Sequence, residues 1–102
     1  MALTKKLREY ILDDLAEALV EIKDREEMKD FLVALLTPAE YQSIPLRLAI
    51  VKMLKNDIPQ REIVKRLGVG VATVTRGSKE LKLKHFRNDW WRDFSAWRMN
   101  NL

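Results

Sequence analysis

The sequence predicts an all-α fold of about six helices, and three observations support this prediction. Apolar residues recur at spacings of three and four along most of the chain, as on one face of an α-helix. The 102 residues include only three Gly and three Pro, which favours long helices joined by short turns. No segment alternates apolar and polar residues as a half-buried strand does. We therefore assign residues 1–102 to a single helical domain.

Capping signals divide the first half of the chain into three helices. Thr4 can cap the first helix. Asp24 followed by Glu27, and Thr37 followed by Glu40, are capping-box patterns that open the second and third. The first of these helices should end near residue 22 and the third near residue 55. The side chains expected to face inward are Leu7, Ile11, Leu15, Ala18 and Leu19, then Met28, Phe31, Leu32 and Leu35, then Ile44, Leu48, Val51 and Leu54.

Residues 59–83 have the pattern of a helix-turn-helix. Pro59 stands at the start of a short helix that Gly68 ends, and a second helix runs from about residue 70 to 83. Gly68 can adopt the left-handed conformation of a sharp turn without a Cβ clash. We expect Val69 to fill the corner and Val74 to anchor the second helix. The residues left for the outer surface are Val71, Ala72, Thr73, Thr75, Arg76 and Lys79.

The outer surface suits double-stranded DNA. Small and hydroxylated side chains at the start of a helix allow it to enter the major groove, where they reach base edges or phosphate. Gln60 and Arg61, at the start of the first short helix, suit phosphate and guanine. Residues 59–92 hold nine basic and three acidic residues, whereas residues 1–58 hold nine basic and eleven acidic ones. A basic stretch alone is equally typical of a solvated helix face. Val64 departs from the motif, which usually has a small residue there.

Several classes of protein are excluded. The chain has no Cys, and its single His85 has no acidic cluster beside it, so we expect no metal site. No Ser-His-Asp set, Gly-rich phosphate loop or spaced carboxylate pair is present, so we expect neither an enzyme nor a cofactor. The N-terminus mixes charge into every turn, unlike a secretory signal, and no apolar run approaches the roughly 20 residues that span a bilayer. We expect a cytoplasmic protein with no membrane partner.

A last helix is expected over about His85 to Met99. Phe86, Trp90, Phe94 and Trp97 follow one another at helical spacing, which predicts that residues 85–102 form an interface helix. Stacking on nucleic acid, assisted by Arg87 and Arg92, and binding to a membrane surface are the alternatives.

With these residues in view, the sequence resembles the Trp repressor family. The similarity runs from about Leu35 to Lys82, and its closest blocks are LLTPAEYQSIPLRL at 35–48, PQREI at 59–63 and ATVTRGSKELK at 72–82. The resemblance implies an intertwined homodimer, with residues 1–57 as dimerisation helices. It also implies a transcriptional repressor that binds a palindromic operator when its corepressor, L-tryptophan, occupies a pocket beside each reading head.

The resemblance implies binding residues as well. Arg47 and Arg76 match two arginines that sandwich the indole ring, and Arg76 also meets the ligand carboxylate. Thr37, with the backbone carbonyls of Ala34 and Leu36 from the other subunit, matches the group that holds the polar end of the ligand. Thr73 and Gly77 match pocket-lining positions. The positions that match residues near DNA are Gln60, Arg61, Val71, Ala72, Thr73, Thr75 and Lys82, and Lys79 joins them from the outer surface.

Two departures affect the ligand. Glu80 stands where the best-known members carry a Ser near the ligand ammonium group. The chain between Arg47 and Gln60 is one residue shorter than in tryptophan-binding members, as in the YerC/YecD-like branch. A regulator with a different ligand, or with none, is therefore an alternative. The two arginines also have an interpretation without a ligand, in which Arg47 pairs with an internal acid and Arg76 touches phosphate. The DNA-binding subunit of an insertion element is another.

Overall fold

The computed structural model describes residues 2–80 and 82–91, apart from the side chains of Glu80 and Asn88. These residues form five α-helices and no strand, which confirms the all-α prediction. The helices are α1 (Lys5–Glu21), α2 (Arg25–Leu35), α3 (Pro38–Lys55), α4 (Gln60–Leu67) and α5 (Val71–Glu80). The chain divides into two compact units, Met1–Tyr41 and Gln42–Leu102, and the boundary falls within α3.

Side-chain caps start the first three helices where the sequence predicts them. Thr4 Oγ1 accepts a hydrogen bond from the Leu7 N–H at 3.0 Å, and Asp24 Oδ2 accepts one from the Glu27 N–H at 2.9 Å. At the start of α3 the capping box is reciprocal. Thr37 Oγ1 accepts from the Glu40 N–H, and Glu40 Oε1 accepts from the Thr37 N–H. Each bond satisfies a backbone donor that the first helical turn leaves unpaired.

The first unit contains α1 and α2, and neither helix has a buried residue. The stripe predicted to face inward on α1 is therefore largely exposed: Leu7, Ile11 and Leu15 retain 44%, 47% and 38% of their accessible surface. In α2, Met28, Phe31 and Leu32 are half-buried, while Leu35 is exposed. The prediction that Leu7, Ile11, Leu15 and Leu35 face inward is therefore wrong within this chain.

The core of the second unit lies where α3, α4 and α5 meet. Ile50 and Met53 of α3, Ile63 of α4 and Val74 of α5 form its buried cluster. Around the cluster pack the half-buried side chains of Leu46, Leu54, Ile58, Val64, Leu67 and Val69. The predicted inward residues Ile44 and Leu48 are instead exposed. Contact with the two short helices therefore decides which residues of α3 are buried, and these residues lie in the C-terminal half of α3.

The turn between α4 and α5 has the predicted geometry. Gly68 ends α4 with φ 64° and ψ 32°, and its N–H donates to the Val64 carbonyl at 3.0 Å. Val69 is half-buried against the cluster, and Val74 is fully buried. Asp57, in the turn between α3 and α4, also has a positive φ of 60°. A residue in the left-handed region allows the chain to change direction within a few residues.

The predicted helix from His85 to Met99 requires a correction. Over the described residues 82–91 the chain forms two single 3₁₀ turns, Leu83–His85 and Asn88–Trp90, instead of an α-helix. Two polar contacts favour this path. Lys55 Nζ, at the end of α3, donates to the Phe86 carbonyl, and the Arg87 guanidinium pairs with Asp89. Trp91 lies beneath the Lys52 ammonium, 5.5 Å from the ring centroid. Arg92, Phe94 and Trp97 lie outside the described residues.

Candidate ligand cavity and DNA-facing surface

A cavity of about 410 Å³ lies between α3 and α5 of the second unit. Four of its lining residues are predicted ligand residues: Arg47, Thr73, Arg76 and Gly77. Arg47 comes from the middle of α3, and the other three come from α5. The structure thus brings the two arginines together at one site, although they are distant in the sequence.

Three further residues line the cavity that the sequence analysis did not single out: Ser43, Leu46 and Ile50. Ser43 precedes Arg47 by four positions and Ile50 follows Arg47 by three, so Ser43, Arg47 and Ile50 share one face of α3. Helical spacing from Arg47 therefore predicts that Ser43 and Ile50 lie beside it. Leu46 and Ile50 also belong to the apolar core or its margin, so the cavity has an apolar side in addition to its charged one.

The charges of the cavity favour an anion. Arg47 and Arg76 are both exposed, and the other lining residues are uncharged. One expectation from the sequence is that Arg47 pairs with an internal acid. Among the described residues Arg47 forms no ion pair; the pairs there are Lys29–Glu26, Arg66–Glu62 and Arg87–Asp89. A guanidinium in this position can pair with a carboxylate through two hydrogen bonds and stack on an aromatic face.

The remaining predicted ligand residues lie elsewhere in the chain. Ala34 is near the end of α2, Leu36 follows that helix, and Thr37 caps α3, so all three belong to the first unit. Thr37 and Ala34 are exposed, and Leu36 is half-buried. Their role toward a ligand stays a prediction. The side chain of Glu80 lies outside what the structure describes.

The predicted DNA-facing residues cluster at the N-terminal ends of α4 and α5. Gln60 and Arg61 begin α4, and Val71, Ala72 and Thr73 begin α5; all five are exposed. Thr75 is half-buried, and its hydroxyl donates to Oε1 of Gln60 at 3.1 Å. This bond joins two residues that the sequence analysis named separately. Lys79 and Lys82 are exposed near and beyond the end of α5.

Buried packing fixes how α4 and α5 cross. Ile63 and Val74 are each 0% exposed and belong to the same cluster. Because packed interiors resist deformation, these contacts hold the two exposed N-terminal ends in one geometry. On α4, Arg66 Nε lies 3.2 Å from the Glu62 carboxylate, so the acid in the first turn of this helix is paired with a cation.

These features define an all-helical protein with a helix-turn-helix and a ligand-sized cavity against its second short helix. The chain belongs to the Trp repressor family: the family described as "Trp repressor protein" matches residues 11–91. It is accordingly a transcriptional regulator of the Trp repressor type. Within the described residues no helix is long and apolar enough to cross a membrane.

Individual relatives show the same family. The chain is 46% identical over 72 residues to a Trp operon repressor homolog of Vibrio vulnificus strain YJ016, covering 70% of this chain and 68% of that protein. It is 41% identical over 87 residues to one of Actinobacillus succinogenes, covering 84% and 76%. It is 54% identical over 56 residues to one of Mannheimia succiniciproducens, covering 54% and 55%. No solved structure gives a significant match.

Proposed function

We propose that this regulator is a homodimeric repressor that binds a palindromic DNA operator and uses L-tryptophan as its corepressor. The observation that carries the proposal is the cavity shared by α3 and α5. A ligand bound there contacts Arg76 and Gly77 of the same helix whose first turn exposes Val71 and Ala72. Occupancy of the cavity can therefore bias the position of the helix that would read DNA.

DNA recognition would use the exposed ends of α4 and α5. The first turn of α5 carries Val71, Ala72 and Thr73, which are small enough to let the helix approach base edges in the major groove. Arg61 adds a guanidinium at the start of α4, suited to phosphate or to guanine. Lys79 and Lys82 extend the positive charge along the α5 side.

Tryptophan carries a carboxylate and an apolar ring, which suit the charged and the apolar side of the cavity. Its carboxylate would pair with Arg76, and its indole ring would lie between the guanidinium groups of Arg47 and Arg76, with Leu46 and Ile50 offering apolar contact. Thr37 and the backbone carbonyls of Ala34 and Leu36, supplied by the second subunit of the dimer, would hold the polar end. The ligand shifts the equilibrium only as far as its affinity differs between the two helix positions.

The exposed apolar side chains of the first unit support a homodimer. Seven of them on α1 or beside it retain between 38% and 69% of their surface: Leu3, Leu7, Tyr10, Ile11, Leu12, Leu15 and Val20. A soluble monomer rarely leaves so many large apolar groups exposed along one helix, and such surfaces mark interfaces. A second copy of the chain would cover them and would supply the second reading head that a palindromic operator requires.

Fluorescence anisotropy on DNA from the protein's own promoter region, with and without L-tryptophan, tests this function. We expect dimer binding that tightens with tryptophan and weakens steeply as salt rises, because neutralised phosphates release counterions. Affinity that does not change with salt would contradict DNA recognition. Salt-dependent DNA binding together with no calorimetric heat at millimolar tryptophan would support a DNA-binding regulator that does not use tryptophan. The shortened spacing before Gln60 makes this regulator the main rival.

A further inference from the structure

Two side chains of the proposed DNA-facing surface are joined by a hydrogen bond, in which Thr75 Oγ1 donates to Gln60 Oε1 at 3.1 Å. It links α5 to the first residue of α4. Gln60 is exposed, whereas Thr75 is half-buried. A side chain that is exposed and tethered has fewer rotamers to lose when it binds a partner.

We propose that Thr75 is a positioning residue, which orients the Gln60 amide so that its nitrogen faces the DNA backbone and donates to a phosphate oxygen. The inference rests on the proposed function, because it requires DNA at this surface. A Gln amide has an acceptor oxygen on one side and an NH₂ with two donors on the other. Phosphate oxygens only accept, so only the nitrogen side can bind them. With Oε1 engaged by Thr75, the nitrogen is the side that remains.

The same bond restricts what Thr75 can do. A Thr hydroxyl has a single hydrogen, and here Gln60 receives it. Toward DNA, Thr75 can therefore offer only lone pairs or its methyl group, and it cannot donate to phosphate, to guanine O6 or N7, or to thymine O4. Thr75 and Gln60 thus act as one unit in which the donor that meets the backbone belongs to Gln60.

The packing around the pair makes this orientation persistent. Ile63 and Val74, both fully buried, fix the crossing of α4 and α5 and with it the distance between the two side chains. Glu62, the acid in the first turn of α4, is paired with Arg66, which reduces its repulsion of a nearby phosphate. The exposed end of α4 is thereby prepared for a backbone contact before DNA arrives.

A double-mutant cycle tests the pair. Thr75→Val removes the hydroxyl but keeps the shape and the methyl group, Gln60→Ala removes the amide, and Thr75→Ser restores the hydroxyl. Dissociation constants are measured by anisotropy on a selected operator and on a mixed-sequence duplex of equal length, at several salt concentrations. Thermal melting of each variant shows whether the fold is retained.

We expect Thr75→Val and Gln60→Ala each to weaken binding about three- to tenfold on both duplexes, the effect of one hydrogen bond. The double variant should bind no worse than the weaker single variant, and Thr75→Ser should bind like the wild type. The salt dependence should stay unchanged, because no cation is removed.

Three outcomes overturn the inference while leaving the proposed function intact: additive losses in the double variant, wild-type affinity for Thr75→Val, or a loss confined to the selected operator, which would assign Thr75 to a base. If the wild-type protein binds neither duplex, the proposed function fails and this inference fails with it.

Discussion

Arg47 on α3 and Arg76 on α5 line one cavity, and the residues that complete its wall are uncharged. Two like charges at one site repel each other unless an anion lies between them, so the arrangement favours a ligand that carries a carboxylate. Because one arginine belongs to the long helix and the other to the second helix of the helix-turn-helix, such a ligand would tie the two elements together. The pair therefore carries the connection between ligand binding and DNA recognition in the proposed function.

Replacement of either cavity arginine should weaken tryptophan binding while the protein remains folded. We expect Arg76→Ala to weaken tryptophan binding at least tenfold in calorimetry, since a charge-assisted hydrogen bond contributes about 1.5–3 kcal/mol. Arg47→Ala should weaken it about two- to fivefold, through the lost cation–π contact with the indole ring. Arg61→Ala is the matched control, because Arg61 is an exposed arginine of the same unit that does not line the cavity. It should bind tryptophan normally but lose affinity for DNA. Wild-type tryptophan affinity in Arg47→Ala would remove that residue from the site.

Two valines one turn apart on α5 should behave in opposite ways. Val74 is fully buried, so Val74→Ala should lower the free energy of unfolding by about 2 kcal/mol through lost burial and a residual cavity. Val71 is 64% exposed, so Val71→Ala should change that free energy by no more than about 0.5 kcal/mol. Urea unfolding with matched slopes measures both.

The DNA readout should reverse this order. At a temperature where both variants are folded, Val71→Ala should lose affinity for the operator, whereas Val74→Ala should retain most of it. Equal losses of stability in the two variants would mean that α5 does not present these faces as the structure has them.

The helix-turn-helix could be predicted from sequence because its signals are local. A left-handed glycine and apolar residues at helical spacing each act within a few residues, and Gly68 and Val74 both behave as expected. The start of α3 was predictable for the same reason, since the Thr37 hydroxyl caps it as expected. The buried face of α3 could not be predicted in the same way. That helix is apolar on several sides, so burial of Ile50 and Met53 instead of its earlier residues depends on which helices pack against it.

Long-range contacts explain the other differences. The path after α5 depends on Lys55 reaching the Phe86 carbonyl, a contact that helical periodicity in residues 85–99 could not reveal. The set of residues that line the cavity depends on how α3 and α5 pack together. This packing places Ser43 of α3 and Arg76 of α5 in the same lining. The family resemblance supplied four of the lining residues, Arg47, Thr73, Arg76 and Gly77, and the tertiary structure added Ser43, Leu46 and Ile50.

The turn between α4 and α5 permits a clean test of backbone strain. Gly68 has φ 64°, and a Cβ added there would meet no atom within 4 Å. Gly68→Ala should therefore lower the free energy of unfolding by about 1–2 kcal/mol through backbone conformation alone. Gly70 is the control, because a Cβ there would make only an ordinary contact of 3.9 Å with Thr73 Oγ1 and its φ is not positive. Gly70→Ala should be neutral or slightly stabilising in urea unfolding, and an equal loss in both variants would contradict this account.

The capping box at the start of α3 should make stability depend on pH in the acid range. The pKa of Glu40 lies below its ordinary value of 4.5, mainly because the Thr37 backbone N–H donates to its carboxylate and further because of the Thr37 hydroxyl. A group whose pKa is lowered by folding contributes stability that is complete above the unfolded value. That contribution is lost as the pH falls through the lower, folded value.

Comparison of the wild type with Glu40→Gln isolates the charge, because Gln still offers an oxygen to the Thr37 N–H. We expect the wild type to be the more stable protein above about pH 4.5, and the difference to vanish as the carboxylate protonates below that pH. Urea unfolding followed by circular dichroism between pH 7 and roughly pH 3 measures it. In a Thr37→Val background most of the pH dependence should persist, because the backbone N–H is its larger cause. A difference that stays constant across this range would assign the effect of Glu40 to something other than its hydrogen bonds with Thr37.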